Sequence, residues 1–322
     1  MRFSLIVATR GRTAEVAALL DSLLAQNRPD VVPREHADSV AAQRADVASQ
    51  AGADFVAQGR ADFEVIVVDQ NGDDRLAPVL APYESRMALR RVTSSVANAC
   101  RARNLGLRLA RGEIVTFPDD DCLYPPGVLN LVDAAFAADP EVALRTGPAA
   151  SPAGGLGSGR WNVAGGPISL ATVWTSVIEF NLFLRRDLAL ALGGFDEGMG
   201  PGSRFGSAEG NDLVCRAIAA GVLAVYDPQQ RIIHPDKRLS EVATARAFRY
   251  GMGLGLALRR HRVPLGVWLP FMLRPIGGIV LSLARLRGHN AAYYAMTLAG
   301  RLAGFLAPEA REGQRLAPLQ PA

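Results

Sequence analysis

The sequence predicts an α/β protein: a mixed, mainly parallel sheet flanked by helices, with a C-terminal helical appendage. Short apolar, β-branched runs alternate with segments of helical periodicity, and polar residues follow the runs. Strands that alternate with helices form parallel sheets, which bind ligands at the carboxyl ends of their strands. The purely helical pattern after Pro235 predicts the appendage.

Three strands and three helices are predicted before residue 120. The strands are expected at residues 3–8, 63–68 and 114–117, each with a polar end at Thr9, Asp69 or Asp119. The helices are expected at residues 13–25, 73–85 and 97–110. Because parallel strands end at one edge of the sheet, the three polar ends are expected to lie near one another.

Two further segments are predicted from composition. Residues 27–62 are longer than a helix-to-strand connection requires, and we expect a surface helix or a mobile insertion there. Residues 147–175 are rich in glycine, which is typical of a flexible loop that closes over a site. A disordered surface loop is the alternative for the second segment.

Charge divides the chain near residue 236. The whole chain carries a net charge of +4, but residues 237–322 contain 13 Lys and Arg against three Glu, so residues 1–236 are acidic. We therefore predict a catalytic domain at 1–236 and a basic amphipathic helical region at 237–322. Three widely separated cysteines support neither a disulfide framework nor a cysteine zinc site.

The basic region is predicted to meet an anionic membrane surface rather than nucleic acid. Its arginines are interleaved with Leu, Trp, Phe and Ile, as in interfacial helices. Arg274 interrupts the apolar segment 263–286, and neither uncharged run approaches the ~20 residues of a spanning helix. A peripheral or re-entrant helical pair is expected, with a buried helix pair as the alternative. The opening strand is too short for a signal peptide and predicts a cytoplasmic protein.

Three adjacent carboxylates, Asp119, Asp120 and Asp121, follow the third strand. They repel one another unless a cation neutralises them, and oxygen ligands suit Mg²⁺ or Mn²⁺ bound to phosphates. A solvated acidic turn that leads to Pro125 is the alternative. The chain has no P-loop motif, and the loop after the first strand lacks the dinucleotide-binding glycines.

Seven motifs occur in the order found in inverting family 2 glycosyltransferases of the GT-A (nucleotide-diphospho-sugar transferase) fold, which the chain resembles over residues 1 to about 236. They are Thr9-Arg10-Gly11-Arg12, Val67-Val68-Asp69, Ala102-Arg103-Asn104-Leu105-Gly106, Ala110-Arg111-Gly112-Glu113, Asp119-Asp120-Asp121, Gly193-Gly194-Phe195-Asp196-Glu197 and Phe205-Gly206-x-x-Glu209-x-x-Asp212-Leu213. The tail is similar to that of membrane-associated bacterial members that build surface polysaccharides. This likeness implies the cytoplasmic face of the bacterial inner membrane.

The resemblance implies a nucleotide-diphosphate-sugar donor, with UDP, GDP or dTDP as the carrier, and a divalent Mn²⁺ or Mg²⁺ ion. The implied donor-binding residues are Thr9, Arg10, Arg12, Asp69, Arg103, Asp119 and Asp120. The implied metal ligands are Asp119, Asp121 and His234. A turn at the strand end is the alternative role for Asp69, and a structural histidine is the alternative for His234.

Transfer with inversion needs one general base to deprotonate the acceptor hydroxyl. The family usually places a Glu-Asp pair where this chain has Glu209-Gly210, so the second acid is missing. Glu209 is therefore the expected base, with Asp212 as the second candidate. Both would share one helix face, and both could instead serve only to stabilise the helix N-terminus.

Acceptor contacts are expected from Asp196, Trp161 and Trp174, with turn capping and core packing as the alternatives. The function expected is transfer of one sugar to a lipid-linked or polysaccharide acceptor. A sugar-1-phosphate nucleotidyltransferase and a catalytically silent, membrane-bound sugar-binding subunit are the competing interpretations. Oligomeric state stays open, and a homodimer is one alternative.

Overall fold

The computed structural model describes residues 1–27, 62–157, 159–236, 241–308 and 316–322. Almost all of the predicted insertion at 27–62 therefore lies outside the described residues. The predicted fold class is confirmed, because a central mixed sheet is flanked by helices and a helical region follows it.

Ten strands are present in the described part of the chain. They are β1 Phe3–Thr9, β2 Phe63–Asp69, β3 Ala88–Thr93, β4 Ile114–Thr116, β5 Leu144–Thr146, β6 Ala149–Ala150, β7 Gly166–Pro167, β8 Leu182–Arg185, β9 Ala224–Tyr226 and β10 Ile232–Ile233. Eight of them form the main sheet in the order β3-β2-β1-β4-β8-β5-β9-β7, and β6 pairs with β10 in a second sheet.

The strands β3, β2, β1 and β4 are mutually parallel, whereas β8 runs antiparallel to both β4 and β5. The register pairs Thr9 with Asp69, and a bridge joins Ala8 to Asp119. The polar ends of the three predicted strands therefore meet at one edge, as the alternation of strands and helices predicts. The strand β2, which is fully buried, and β1, which is buried except at Ala8, form the centre of this arrangement.

Nine α-helices are described. They are α1 Ala14–Leu24, α2 Ala77–Glu84, α3 Ala99–Leu109, α4 Val128–Ala138, α5 Arg186–Ala191, α6 Glu209–Ala219, α7 Glu241–Arg260, α8 Leu265–Ala284 and α9 Gly288–Leu306. The first six flank the sheet or follow its strands, and the last three form the C-terminal region. Residues 316–322 contact α5, where the amide of Leu319 donates to the carbonyl of Leu190 at 2.9 Å.

Close contact between α7 and α9 depends on glycine. A Cβ atom added to Gly255 would lie 2.1 Å from the carbonyl oxygen of Arg301, and one on Gly304 would lie 2.0 Å from that of Met252. Gly253 faces the opposite way, where a Cβ would lie 2.2 Å from the carbonyl oxygen of Ser207. The helix α7 thus packs against α9 and against the loop before α6, and the alternate glycines Gly251, Gly253 and Gly255 allow this packing.

The helix α8 corrects the expectation that Arg274 divides the apolar segment into two helices. It is one continuous helix of 20 residues that contains Pro270 and Pro275. Pro275 has no N–H for the carbonyl of Phe271, and the guanidinium of Arg301 on α9 donates to that carbonyl instead. Among the described helices, α8 alone is long and apolar enough to span a membrane by length and composition.

Candidate active site

A cluster of metal-ligating side chains lies beyond the end of β4. Antiparallel pairing of Leu123 with Ile233 carries His234 to the acidic loop. Its Nε2 lies 3.4 Å from an oxygen of Asp121 and 4.0 Å from an oxygen of Asp119. The ligand atoms of the three residues all lie within 4.8 Å of one another. The structure thus brings together the three ligands that the resemblance implies.

The donor set fits a divalent cation on two observations. Oxygen Oδ1 of Asp121 is buried and has no hydrogen-bond partner among the described residues. The Nδ1 atom of His234 lies 2.8 Å from the carbonyl oxygen of Pro235, which fixes the proton on Nδ1 and leaves Nε2 as a lone-pair donor. The imidazole also stacks on Phe180, with ring centres 4.7 Å apart. Two carboxylates and one imidazole are ligands that Mn²⁺ accepts.

Arg103 connects this cluster to the start of α6. Its guanidinium is buried, donates to Asp119 at 2.8 Å and to Glu209 at 3.2 Å, and lies over the ring of Phe195. The sequence implied a contact with the donor, but both terminal nitrogens already bind carboxylates. The position of Arg103 therefore favours a role in holding Asp119 and Glu209 in place.

Glu209 is the first residue of α6 and is 4% exposed. Burial and the negative charge of Glu179 raise the pKa of Glu209 to about 8, against the opposing charge of Arg103. The carboxyl group therefore holds its proton at neutral pH. Because Glu179 belongs to none of the sequence motifs, its proximity to Glu209 is new information from the structure.

Asp212 lies one turn further along α6 and is fully buried. Its carboxylate binds Arg216, Arg260 and His261, each at 2.9 Å. Burial alone would raise the pKa of Asp212, but the hydrogen bond from His261 and the charges of the arginines outweigh it and lower the pKa. These partners argue against Asp212 as a base, since they hold it ionised away from solvent and tie α7 to α6.

The loop after β1 contacts the middle aspartate of the acidic loop. The hydroxyl of Thr9 donates to Asp120 at 2.7 Å, and Arg12 donates to Asp120 at 2.7 Å and to Asp121 at 2.5 Å. Burial raises the pKa of Asp120 against these hydrogen bonds. Thr9 and Asp120 thus bind each other, whereas Arg10 is exposed and Arg12 is the cation beside the cluster.

Asp69 ends β2 with a carboxylate that is not exposed. One of its oxygens accepts from the backbone and side-chain amides of Asn71, at 2.9 and 2.7 Å, and the other binds Arg91 at 2.7 Å. In this arrangement Asp69 supports the strand end, which is the alternative that the sequence left open. The partly exposed Asn71 and Arg91 form the surface above it.

The three candidate acceptor residues each have an internal partner. Asp196 binds Arg260 at 2.8 Å and caps the amide of Gly198 at 2.8 Å. The indole of Trp161 donates to the carbonyl of Gly157, and that of Trp174 donates to the carbonyl of Leu170. Trp174 also meets Phe271 of α8 with ring centres 6.4 Å apart. The structure does not bring these residues together around one cavity.

Four side chains at the site escaped the sequence analysis. Glu179, Arg260 and His261 have no recognisable motif, and Phe180 precedes β8 without any polar signal. The missing acid at Gly210 is the one signal that pointed to Glu179, since a vacant acidic position suggests a substitute elsewhere. In the same way, the adjacent basic residues Arg260 and His261 could have suggested a buried acid nearby.

The mainly parallel central sheet with helices on its faces is the architecture of the GT-A fold. The model of the family Glycosyl transferase family 2 matches residues 40–185. Over these residues, which are less than half of the chain, the protein is similar to family 2 glycosyltransferases.

Solved structures share this fold at low sequence identity. A mannosyltransferase from Pyrobaculum calidifontis, in complex with GDP-Man and Mn²⁺, is 17% identical with a TM-score of 0.61, and the alignment covers 96% of this chain and 88% of that one. Residues 1–349 of S. aureus TarS are 16% identical with a TM-score of 0.55, over 97% and 93% of the two chains. TarS in complex with UDP-GlcNAc aligns equally well, with 16% identity and a TM-score of 0.55 over 98% and 95%. A comparison with curated protein sequences gave no match.

Proposed function

We propose that this protein is a divalent-metal-dependent, inverting glycosyltransferase that moves one sugar from a nucleotide-diphosphate donor to a lipid-linked or polysaccharide acceptor. The observation that carries the proposal is the cluster of Asp119, Asp121 and His234, whose two aspartates lie within the residues that the family 2 model matches. Structures of this fold are known with GDP-Man and Mn²⁺ and with UDP-GlcNAc, which supports a sugar nucleotide as the donor.

The three ligands would hold the cation, which supplies positive charge to neutralise the departing diphosphate. Arg12 adds a fixed positive charge next to Asp121, at 2.5 Å. Transfer with inversion also needs a base near the start of α6, and Glu209 is the residue that the sequence identifies for this role. In an inverting reaction a single base removes the acceptor proton, and no carboxylate needs to attack the anomeric carbon as a nucleophile.

A binding screen tests this function directly. Thermal shift and calorimetry with UDP-, GDP- and dTDP-sugars, with and without Mn²⁺, are expected to show metal-dependent stabilisation by one nucleotide class. Asp121→Asn is expected to abolish the Mn²⁺ dependence, whereas the control Asp187→Asn, whose side chain is 87% exposed on α5, is expected to behave as the unchanged protein.

Turnover distinguishes the enzyme from a silent sugar-binding subunit. Nucleotide release from the stabilising donor is expected in the presence of Mn²⁺ and is lost in Asp121→Asn. Binding without any nucleotide release would favour the silent subunit, and release of pyrophosphate from a nucleoside triphosphate and a sugar phosphate would favour the nucleotidyltransferase. Absence of binding by every donor would contradict the proposal.

We also propose that the C-terminal helices bind an anionic membrane at its cytoplasmic face in bacteria, as a peripheral enzyme. The outer face of α8 is apolar, with Leu273 and Val280 51% and 63% exposed, and only 17% of its most apolar 18 residues are buried. Exposed Arg285 and Arg287 follow directly, a combination suited to acidic headgroups.

Vesicle binding tests the membrane proposal. Sedimentation with phosphatidylglycerol vesicles is expected for the unchanged protein and is lost in Leu273→Glu/Val280→Glu. The control Val163→Glu changes a residue that is 94% exposed on the loop before β7 and should leave sedimentation unchanged. A stable homodimer in detergent-free buffer that the double variant dissociates, with no vesicle binding, would assign this face to a second copy of the chain instead.

A further inference from the structure

The absence of a side chain at position 210 has a clear physical cause in the structure. A Cβ atom added to Gly210 would lie 2.9 Å from Cγ and from Oε1 of Glu179, and 3.1 Å from its Cδ. The amide of Gly210 donates to the same Oε1 at 3.2 Å. The carboxylate of Glu179 therefore occupies the space that any acid at position 210 would need.

Glu179 differs in accessibility from the other carboxylates at the start of α6. Glu209 is 4% exposed and bound to Arg103, and Asp212 is fully buried among three cationic side chains. Glu179 is only partly buried, and its Oε2 has no hydrogen-bond partner among the residues that the structure describes. A general base must reach the proton that it removes, and Glu179 is the least buried of these three carboxyl groups.

The chain position of Glu179 places it beside the metal-ligating cluster. It is the first residue of a one-turn 3₁₀ helix, Glu179–Asn181, that leads into β8. The next residue, Phe180, stacks on the imidazole of His234. The carboxylate of Glu179 thus contacts the start of α6, one residue before the ring that stacks on His234.

We propose that Glu179 is the general base of the glycosyl transfer and takes the place of the acid missing at position 210. This assignment rests on the proposed function. An oxygen of Glu179 takes the proton of the acceptor hydroxyl while the acceptor oxygen forms its bond to the anomeric carbon. The bond from that carbon to the diphosphate breaks, and its electron pair leaves with the nucleoside diphosphate.

Glu209 then acts as a positioning residue. Because its pKa of about 8 keeps it protonated at neutral pH, Glu209 is poorly suited to accept a second proton. Its bond to Arg103 connects the base region to Asp119, so its removal is expected to disturb donor binding as well as turnover.

The first test uses Glu179→Gln in the full chain with the donor found by the binding screen. We expect metal-dependent donor binding within about threefold of the unchanged protein, and nucleotide release to water or acceptor reduced by about 100-fold or more. Azide is an anionic nucleophile that needs no proton removal, so Glu179→Gln should form glycosyl azide at nearly the unchanged rate. Loss of donor binding, loss of azide transfer, or turnover with water within threefold of the unchanged protein would each overturn the assignment.

The second test moves the carboxylate. Glu179→Ala/Gly210→Asp puts an acid back into the vacated space from α6, and is expected to recover nucleotide release at least tenfold over Glu179→Ala. The matched control Glu179→Ala/Gly210→Asn, which adds the same volume without charge, should recover nothing. Equal recovery by both double variants would show that Glu179 only fills space, and recovery by neither would overturn the equivalence of the two positions.

The experiments distinguish a failure of the proposed function from a failure of the role assigned to Glu179. If the unchanged protein binds no sugar nucleotide or releases none, the proposed function fails, and the role of Glu179 fails with it. If the unchanged protein turns over and Glu179→Gln turns over equally well, only the assignment of the base is overturned.

Discussion

Glu209→Gln is expected to remove a pH dependence from the stability of the protein. Burial and the charge of Glu179 raise the pKa of Glu209 from its ordinary value of 4.5 to about 8. Between these two pH values the folded protein holds a proton that the unfolded chain has released, so the free energy of unfolding falls as the pH rises. At about 1.4 kcal/mol for each tenfold change in proton affinity, this interval corresponds to about 5 kcal/mol.

Urea denaturation at pH 5 and pH 8, followed by tryptophan fluorescence, measures this difference. The unchanged protein is expected to lose about 2–5 kcal/mol of unfolding free energy over this range relative to Glu209→Gln, because glutamine stays neutral in both states. The control Asp187→Asn removes an exposed carboxylate and should keep the pH dependence of the unchanged protein. Parallel pH profiles for Glu209→Gln and the unchanged protein would refute the reasoning.

The remaining predictions concern the C-terminal helices. Asp212→Asn leaves Arg260 and His261 without their shared buried carboxylate, and calorimetry should show a loss of about 3–5 kcal/mol in unfolding free energy; a loss below 1 kcal/mol would contradict this. Because ionised Asp212 is stabilised by folding, the unchanged protein should lose this contribution as the pH falls below about 4, and Asp212→Asn should not. Gly255→Ala should lower the melting temperature by several degrees, because its Cβ would meet the backbone of α9. The control Gly266→Ala, whose Cβ would meet nothing within 4 Å, should leave the melting temperature unchanged or raise it. Equal effects of the two substitutions would exclude close helix packing as the cause.

The fold was predictable where burial is complete. The strands β1 and β2 are buried along almost their whole length, so they appear in the sequence as mainly apolar runs with clear ends. The edge strand β3 escaped prediction because one side faces solvent, and its sequence contains Arg90 and Arg91. The continuity of α8 was hidden for another reason: the partner that accommodates Pro275 is Arg301, on a different helix.

The candidate site was predictable to the extent that its residues follow strand ends. The acidic loop follows β4, as the alternation of strands and helices predicts, and His234 lies beside it. The partners of each carboxylate were not predictable, since they come from distant segments. Asp69 is bound by Arg91, and Asp212 by residues of α7, so two acids that look available in the sequence are already neutralised.

Because Gly253 packs against Ser207, α7 fixes the distance between the start of α6 and the outer apolar face of α8. One rigid element contacts the loop that precedes Glu209 and also holds α9, which in turn packs on α8. An enzyme built this way and seated on a bilayer would reach hydroxyl groups at one fixed height above the headgroups, so acceptor length, as well as acceptor chemistry, would select the substrate.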